Sequence, residues 1–179
     1  MDQWKLEGST HDRQSIAADW QSIQHPIIEG VRFKEVRNIL KMNGTLVEVY
    51  RRDWDLDQEP IDQVFQVTLS PGGVSAWHAH ARTMDRLFVN QGAMRLVLFD
   101  ARQSSPTLGT INEFRMGSAR PMVVVIPPKV WHGVQNIGAE PASILNLVDA
   151  AYQYDAPDHW RIPSDSPTIP FRFEDADGR

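Results

Sequence analysis

Cysteine is absent from all 179 residues. Disulfides and thiolate metal ligands are therefore excluded, and histidine and carboxylates are left as the strong ligand types. No apolar run approaches the roughly 20 residues that span a bilayer. The polar, acidic start Met1-Asp2-Gln3-Trp4-Lys5 lacks the apolar region of a signal peptide. Positive charge is not in excess either: 18 Lys and Arg stand against 23 Asp and Glu, a formal charge of −5. Nothing in that balance attracts nucleic acid or anionic lipid, so an anionic ligand needs a local cluster of Arg or Lys. Solenoid repeats and low-complexity tracts are missing as well. The expectation is a soluble cytoplasmic protein with neither nucleic-acid nor membrane partners.

What is present is ordinary globular material, 41% hydrophobic and 23% charged, in a length that suits one domain with a real core. Residues 1–28 are mixed in character. Ile16-Ala17-Ala18-Asp19-Trp20 can seed a helical turn, which His25-Pro26 would stop. This stretch reads as an arm, with Trp4 and Trp20 as packing anchors. From residue 29 to 151 the pattern is β-like. Leu46, Val47, Val49 and Tyr50 follow an Asn43-Gly44 turn, and Phe65, Val67 and Leu69 alternate with polar residues. Pro71-Gly72-Gly73 makes a turn. Leu87-Phe88-Val89, Gly92, then Met94, Leu96 and Leu98 read as a hairpin. Val123 to Ile126 is a β-branched run, and Ile144 to Val148 is the last strand. Short strands at near-regular spacing predict an all-β sandwich or barrel in a single domain. Residues 152–179 hold Pro157, Pro163, Pro167 and Pro170, so this tail is expected to wrap over the barrel.

The chemistry sits in Ala76-Trp77-His78-Ala79-His80, followed by Asp85, Gly92 and, downstream, His132. On a strand, side chains alternate, so His78 and His80 share one face. Two imidazoles, a carboxylate and a third imidazole in one pocket form either a metal site or an acid–base site. The same alternation sends Trp77 and Trp131, each preceding a pocket histidine, to the opposite face.

The order Gly72, His78, His80, Asp85, Gly92, then Pro127, His132 and Asn136, resembles the two motifs of the cupin family, with Lys129 where a glycine is expected. The resemblance implies a cupin jelly-roll β-barrel and makes His78, His80, Asp85 and His132 candidate ligands. Such a set suits one divalent transition metal: Mn, Fe, Co, Ni or Zn. Phe99 to Gly109, the Ile126-Pro127-Pro128-Lys129-Val130-Trp131-His132-Gly133 stretch, Tyr154-Asp155-Ala156-Pro157 and Asp165-Ser166-Pro167 are similar to segments of the dTDP-4-dehydrorhamnose 3,5-epimerases. That resemblance implies the same fold, a nucleotide-sugar substrate and a homodimer. It implies no metal, with proton transfer next to a ketone. Carried over, His78 falls on the base, His132 on the second pocket histidine, and Tyr154, or Tyr152, on the tyrosine that returns a proton. The family's enolate-stabilising lysine does not carry over, because Asp85 holds its place and a carboxylate opposes that charge.

Three functions follow: a nucleotide-sugar epimerase or isomerase, a metal-dependent cupin oxygenase or isomerase, and a non-catalytic sugar- or nucleotide-binding cupin. Blander readings stand beside them. His78 and His80 could be two hydrogen-bonded histidines in a barrel mouth, and Asp85 could pair with Arg82 or Arg86. The tyrosines could only cover a core edge. Arg82, Arg95, Arg102, Arg115 and Arg120 include candidates for a diphosphate clamp. His11, His25 and His159 are expected at the surface.

Overall fold

A computed structural model describes residues 4–11, 14, 16, 18 and 26–173. Trp20, His25 and most of the helical turn expected near Ile16 lie outside them. Twelve strands run in order: β1 (Arg32–Glu35), β2 (Ile39–Lys41), β3 (Gly44–Leu46), β4 (Gln63–Leu69), β5 (Val74–Ala79) and β6 (Asp85–Gln91) come first. They are followed by β7 (Ala93–Phe99), β8 (Ile111–Gly117), β9 (Met122–Ile126), β10 (Trp131–Asn136), β11 (Ala142–Val148) and β12 (Trp160–Arg161). Among the described residues the only helical element is a 3-10 turn at Arg52–Trp54, and no helix is long and apolar enough to cross a membrane.

Two five-stranded antiparallel sheets, β1-β9-β6-β11-β4 and β12-β5-β10-β7-β8, face each other around one core. Leu87, Met94, Leu96, Phe114, Val124, Ile126 and Ile144 fill it. The chain is an all-β jelly roll. Val123 to Ile126 forms a strand buried on both faces, as its unbroken β-branched run requires.

Two strand assignments differ from the sequence reading. Strands β6 and β7 are not a hairpin: β6 pairs with β9 and β11, β7 with β8 and β10. The chain changes sheet at Gly92, whose φ is +75° and where an added Cβ would lie 2.7 Å from Ala142. Glycine is therefore required there on two counts. Second, the strand begun at Gly44 ends at Leu46, and Val47, Val49 and Tyr50 lie outside it. The β2–β3 hairpin projects with Ile39, Leu40, Met42 and Leu46 exposed.

The tail does more than wrap. Its β12 adds a fifth strand to the second sheet, pairing Trp160 with Ala79 and Arg161 with His78. Ile169, Phe171 and Phe173 then cover the outer face of that sheet. There Trp77, wholly buried, meets Phe171 and Phe173 at ring distances of 6.0 and 5.0 Å. Trp131 packs against the same cluster, so both tryptophans point away from the histidines, as alternation demands. Trp4 is exposed.

Candidate active site

Between the sheets at one end opens a cavity of about 560 Å³, a size ordinary for small-molecule sites. Phe65, Val67, Leu87, Val134, Ile144 and Val148 make an apolar wall. The polar wall holds His78, His80, Asp85, His132, Asn146 and, from the tail, Asp158, His159 and Arg161.

Strand pairing explains the convergence. His78 and His132 are register partners on β5 and β10, and their rings sit 4.5 Å apart. Gly133 permits this approach: a Cβ there would meet Ala76 at 2.3 Å. Asp85 begins β6 on the opposing sheet and is buried beneath both His80 and His132. Its Oδ2 lies 3.3 Å from His80 Nε2 and 3.5 Å from His132 Nε2. Its Oδ1 accepts from Asn146 Nδ2 at 2.7 Å. The surface ion pair considered for Asp85 does not form, because Arg86 points to the other face of β6 and binds Asp57.

One nitrogen on each of three imidazoles is taken by backbone, His78 Nε2 by Ser75 O at 3.3 Å. His132 Nδ1 donates to Val130 O at 3.1 Å, and His80 Nδ1 to Asp158 O. The Nε2 atoms of His80 and His132 are both aimed at one carboxylate oxygen. His78 Nδ1 and His159 Nε2 are buried without a hydrogen-bond partner. Burial, reinforced by the His132 and His159 charges, pushes the His78 pKa down to about 2, and burial pushes that of His132 to about 3. His159 is lowered as well, by burial first and then by the His80 and Arg161 charges. These three rings are neutral at physiological pH.

The four residues read as metal ligands do not form one donor set. Donor atoms of His80, Asp85 and His132 lie within 4.8 Å of one another, whereas His78 groups with His80 and His159. Tyr154 is 87% exposed and outside the cavity lining. The tyrosine that reaches the cavity is Tyr152, its ring 5.5 Å from that of Tyr154.

His159, expected at the surface, belongs to the cluster, with its ring 4.7 Å from His80 and 5.3 Å from His78. Asp158 anchors it. The Asp158 carboxylate accepts from the backbone of Ala81, Arg82 and Thr83 at 2.8, 2.8 and 3.0 Å and from Thr83 Oγ1 at 3.2 Å. The only sequence signal for this is an Asp-His pair next to an aromatic-basic dipeptide, Trp160-Arg161. Of the five arginines considered as clamps, only Arg82 lines the cavity. Arg102 binds Asp100, Arg115 binds Glu113, Arg120 binds Glu35, and Arg95 bonds Gln135 beside Phe171. Arg161 joins Arg82 instead.

The chain is 34% identical over 141 residues to Agl13 of Haloferax volcanii, described as a probable low-salt glycan biosynthesis epimerase, covering 78% of this chain and 90% of that protein. It is 33% identical over 147 residues to the spore coat polysaccharide biosynthesis protein SpsL of Bacillus subtilis, covering 82% and 97%. Among solved structures, a dTDP sugar isomerase from Desulfovibrio desulfuricans superposes with a TM-score of 0.76 at 28% identity, covering 82% of this chain and 92% of that one. The chain belongs to the dTDP-sugar epimerase and isomerase family. No protein-family model matches it. As a member of the epimerase and isomerase family it is an enzyme of that kind, and the cavity with its imidazole cluster is the candidate active site.

Proposed function

We propose that the enzyme epimerises a dTDP-4-keto-6-deoxyhexose, or a close relative, by moving a proton at a carbon next to the ketone. One observation carries the reading: His78, neutral and half-buried, lines a cavity with one apolar and one polar wall and keeps a nitrogen without a hydrogen-bond partner. The apolar wall excludes water from a reactive enolate. Arg82 and Arg161 flank the same cavity and match diphosphate oxygens. His78 takes the proton, and the electron pair of the C–H bond moves through the new C=C bond on to the keto oxygen. His132 supports the base from 4.5 Å, and Tyr152, which lines the cavity, returns a proton. A base whose pKa is held so low needs a substrate proton made acidic by stabilising that oxygen. The test is incubation with dTDP-4-keto-6-deoxyglucose in D2O, read by proton NMR. Deuterium at the carbon beside the ketone, with an epimerised product, supports the reading; an unchanged, unlabelled substrate counts against it.

A second reading has its own support. The Nε2 atoms of His80 and His132 converge on one Asp85 oxygen, and ligating histidines typically give their other N–H to a carbonyl, as His80 and His132 do. His80, Asp85 and His132 would hold a divalent ion, which when bound supplies Lewis-acid polarisation of the ketone. His78 lies outside that set and stays free as the base. Elemental analysis of purified protein tests it: about one ion per chain, lost in His80→Ala, is the expected result, and metal-free protein overturns it.

We also infer a homodimer. A two-stranded hairpin is marginal alone, and Ile39, Leu40, Met42 and Leu46 are exposed on it, Leu40 to 84%. A second copy is the cover that the family resemblance implies. Light scattering at twice the chain mass supports this, and a monomer contradicts it.

A further inference from the structure

The family's lysine is missing, and the carboxylate in its place has the wrong sign to steady a forming enolate. We propose that His159, carried in by the C-terminal tail, donates the hydrogen bond that holds the keto oxygen and stabilises the enolate. This rests on the epimerase reading above. As His78 takes the proton, the electron pair accumulates on the keto oxygen, and the Nε2–H of His159 bonds that oxygen without transferring its own proton. No electron is gained or lost from the pair of reactants, and the ketone re-forms when carbon is reprotonated.

Three observations converge. Buried polar nitrogens are nearly always satisfied, yet His159 Nε2 is buried without a partner on the cavity wall. The other imidazoles are committed: His80 and His132 have given their N–H to carbonyls, and His78 is needed as acceptor. Of the two histidines with an unpartnered nitrogen, one takes a proton and the other gives a hydrogen bond. Imidazole carries its proton on either nitrogen, so the Nε2–H tautomer is available. The ring is also held in place on both sides. Asp158 fastens it to the loop at residues 81–83 by four hydrogen bonds, and Trp160 and Arg161 pair with β5. A donor fixed before the charge develops is what oxyanion stabilisation requires.

The test compares His159→Phe, which keeps a ring without a donor, with His159→Gln, which keeps an N–H. Solvent-deuterium exchange into dTDP-4-keto-6-deoxyglucose is measured together with KM and the unfolding midpoint. The phenylalanine variant should exchange about 10²–10³-fold more slowly, the usual cost of one oxyanion donor, with KM little changed. The glutamine variant should recover part of that loss. Should the phenylalanine variant not fold, His159→Ala with free imidazole decides: rescue supports the assignment and no rescue overturns it. Wild-type exchange in His159→Phe, or equal rates in the Phe and Gln variants, also overturns it. If wild type itself neither exchanges nor epimerises the sugar, the functional reading falls, and this assignment with it.

Discussion

Asp85 and Arg86 are adjacent on one strand, and alternation turns them to opposite faces with opposite fates. On the Arg86 side every nitrogen of the buried guanidinium is used. Nε donates to Asp57 at 2.8 Å, one terminal nitrogen to Asp57 and to Glu59 O at 3.0 Å, and the other to Leu147 O at 3.2 Å. The Tyr50 ring lies 5.5 Å away. On the Asp85 side two imidazole nitrogens face the carboxylate, and His78 and His159 keep unpartnered nitrogens. A buried polar network that serves the fold is closed. One that awaits a ligand is left open.

Breaking the closed side should cost the most stability. Arg86→Met leaves Asp57 buried and unpaired, an expected loss of about 3–5 kcal/mol by denaturant unfolding, and pairing it with Asp57→Leu should restore most of that. A single variant within 1 kcal/mol of wild type would mean the pair is weaker than its geometry. Breaking the open side should spare the fold and remove the chemistry. His78→Gln should lower kcat about 10²–10⁴-fold with little change in the unfolding midpoint; a stable variant with full activity would exclude His78 as base.

Acid should separate the two sides further. The pKa values of His78 and His132 in the folded state are about 2 and about 3, against an ordinary 6.5. The unfolded chain therefore binds protons first, and their contribution to stability is complete above pH 6.5 and lost as pH falls toward 3. Thermal midpoints should fall across that window in wild type and less steeply in a His132→Gln variant; parallel curves would contradict the assignment. The smallest effect is at Lys129, a non-glycine residue at φ +69° whose N–H donates to His80 O at 2.6 Å. Lys129→Gly should stabilise by up to about 1 kcal/mol in the unfolding midpoint, and a loss would show that its side chain matters.

Much of the architecture was legible because period-2 alternation is local. Phe65, Val67 and Leu69 on β4, the buried run of β9, and the split of Trp77 from His78 all follow from it. Partnering is not local. The Leu87 and Met94 segments looked like a hairpin, yet Gly92 sends them to different sheets. Three of the site residues, His78, His80 and His132, stood out by spacing. His159 did not, because it reaches the cavity through the Asp158 bonds to residues 81–83 and the β12–β5 pairing, which join segments nearly 80 positions apart. The same distance hid Arg161 and left Tyr154 indistinguishable from Tyr152.

The most direct test of the central claim is a crystal structure with a dTDP-4-keto-6-deoxyhexose or a non-reacting analogue bound. The expected result is a ring carbon next to the ketone within about 3.5 Å of a His78 nitrogen, the reach of a near-attack geometry, with the keto oxygen at hydrogen-bond distance from His159 Nε2. A sugar seated in the cavity with His78 facing only its diphosphate, or bound elsewhere on the chain, would contradict it.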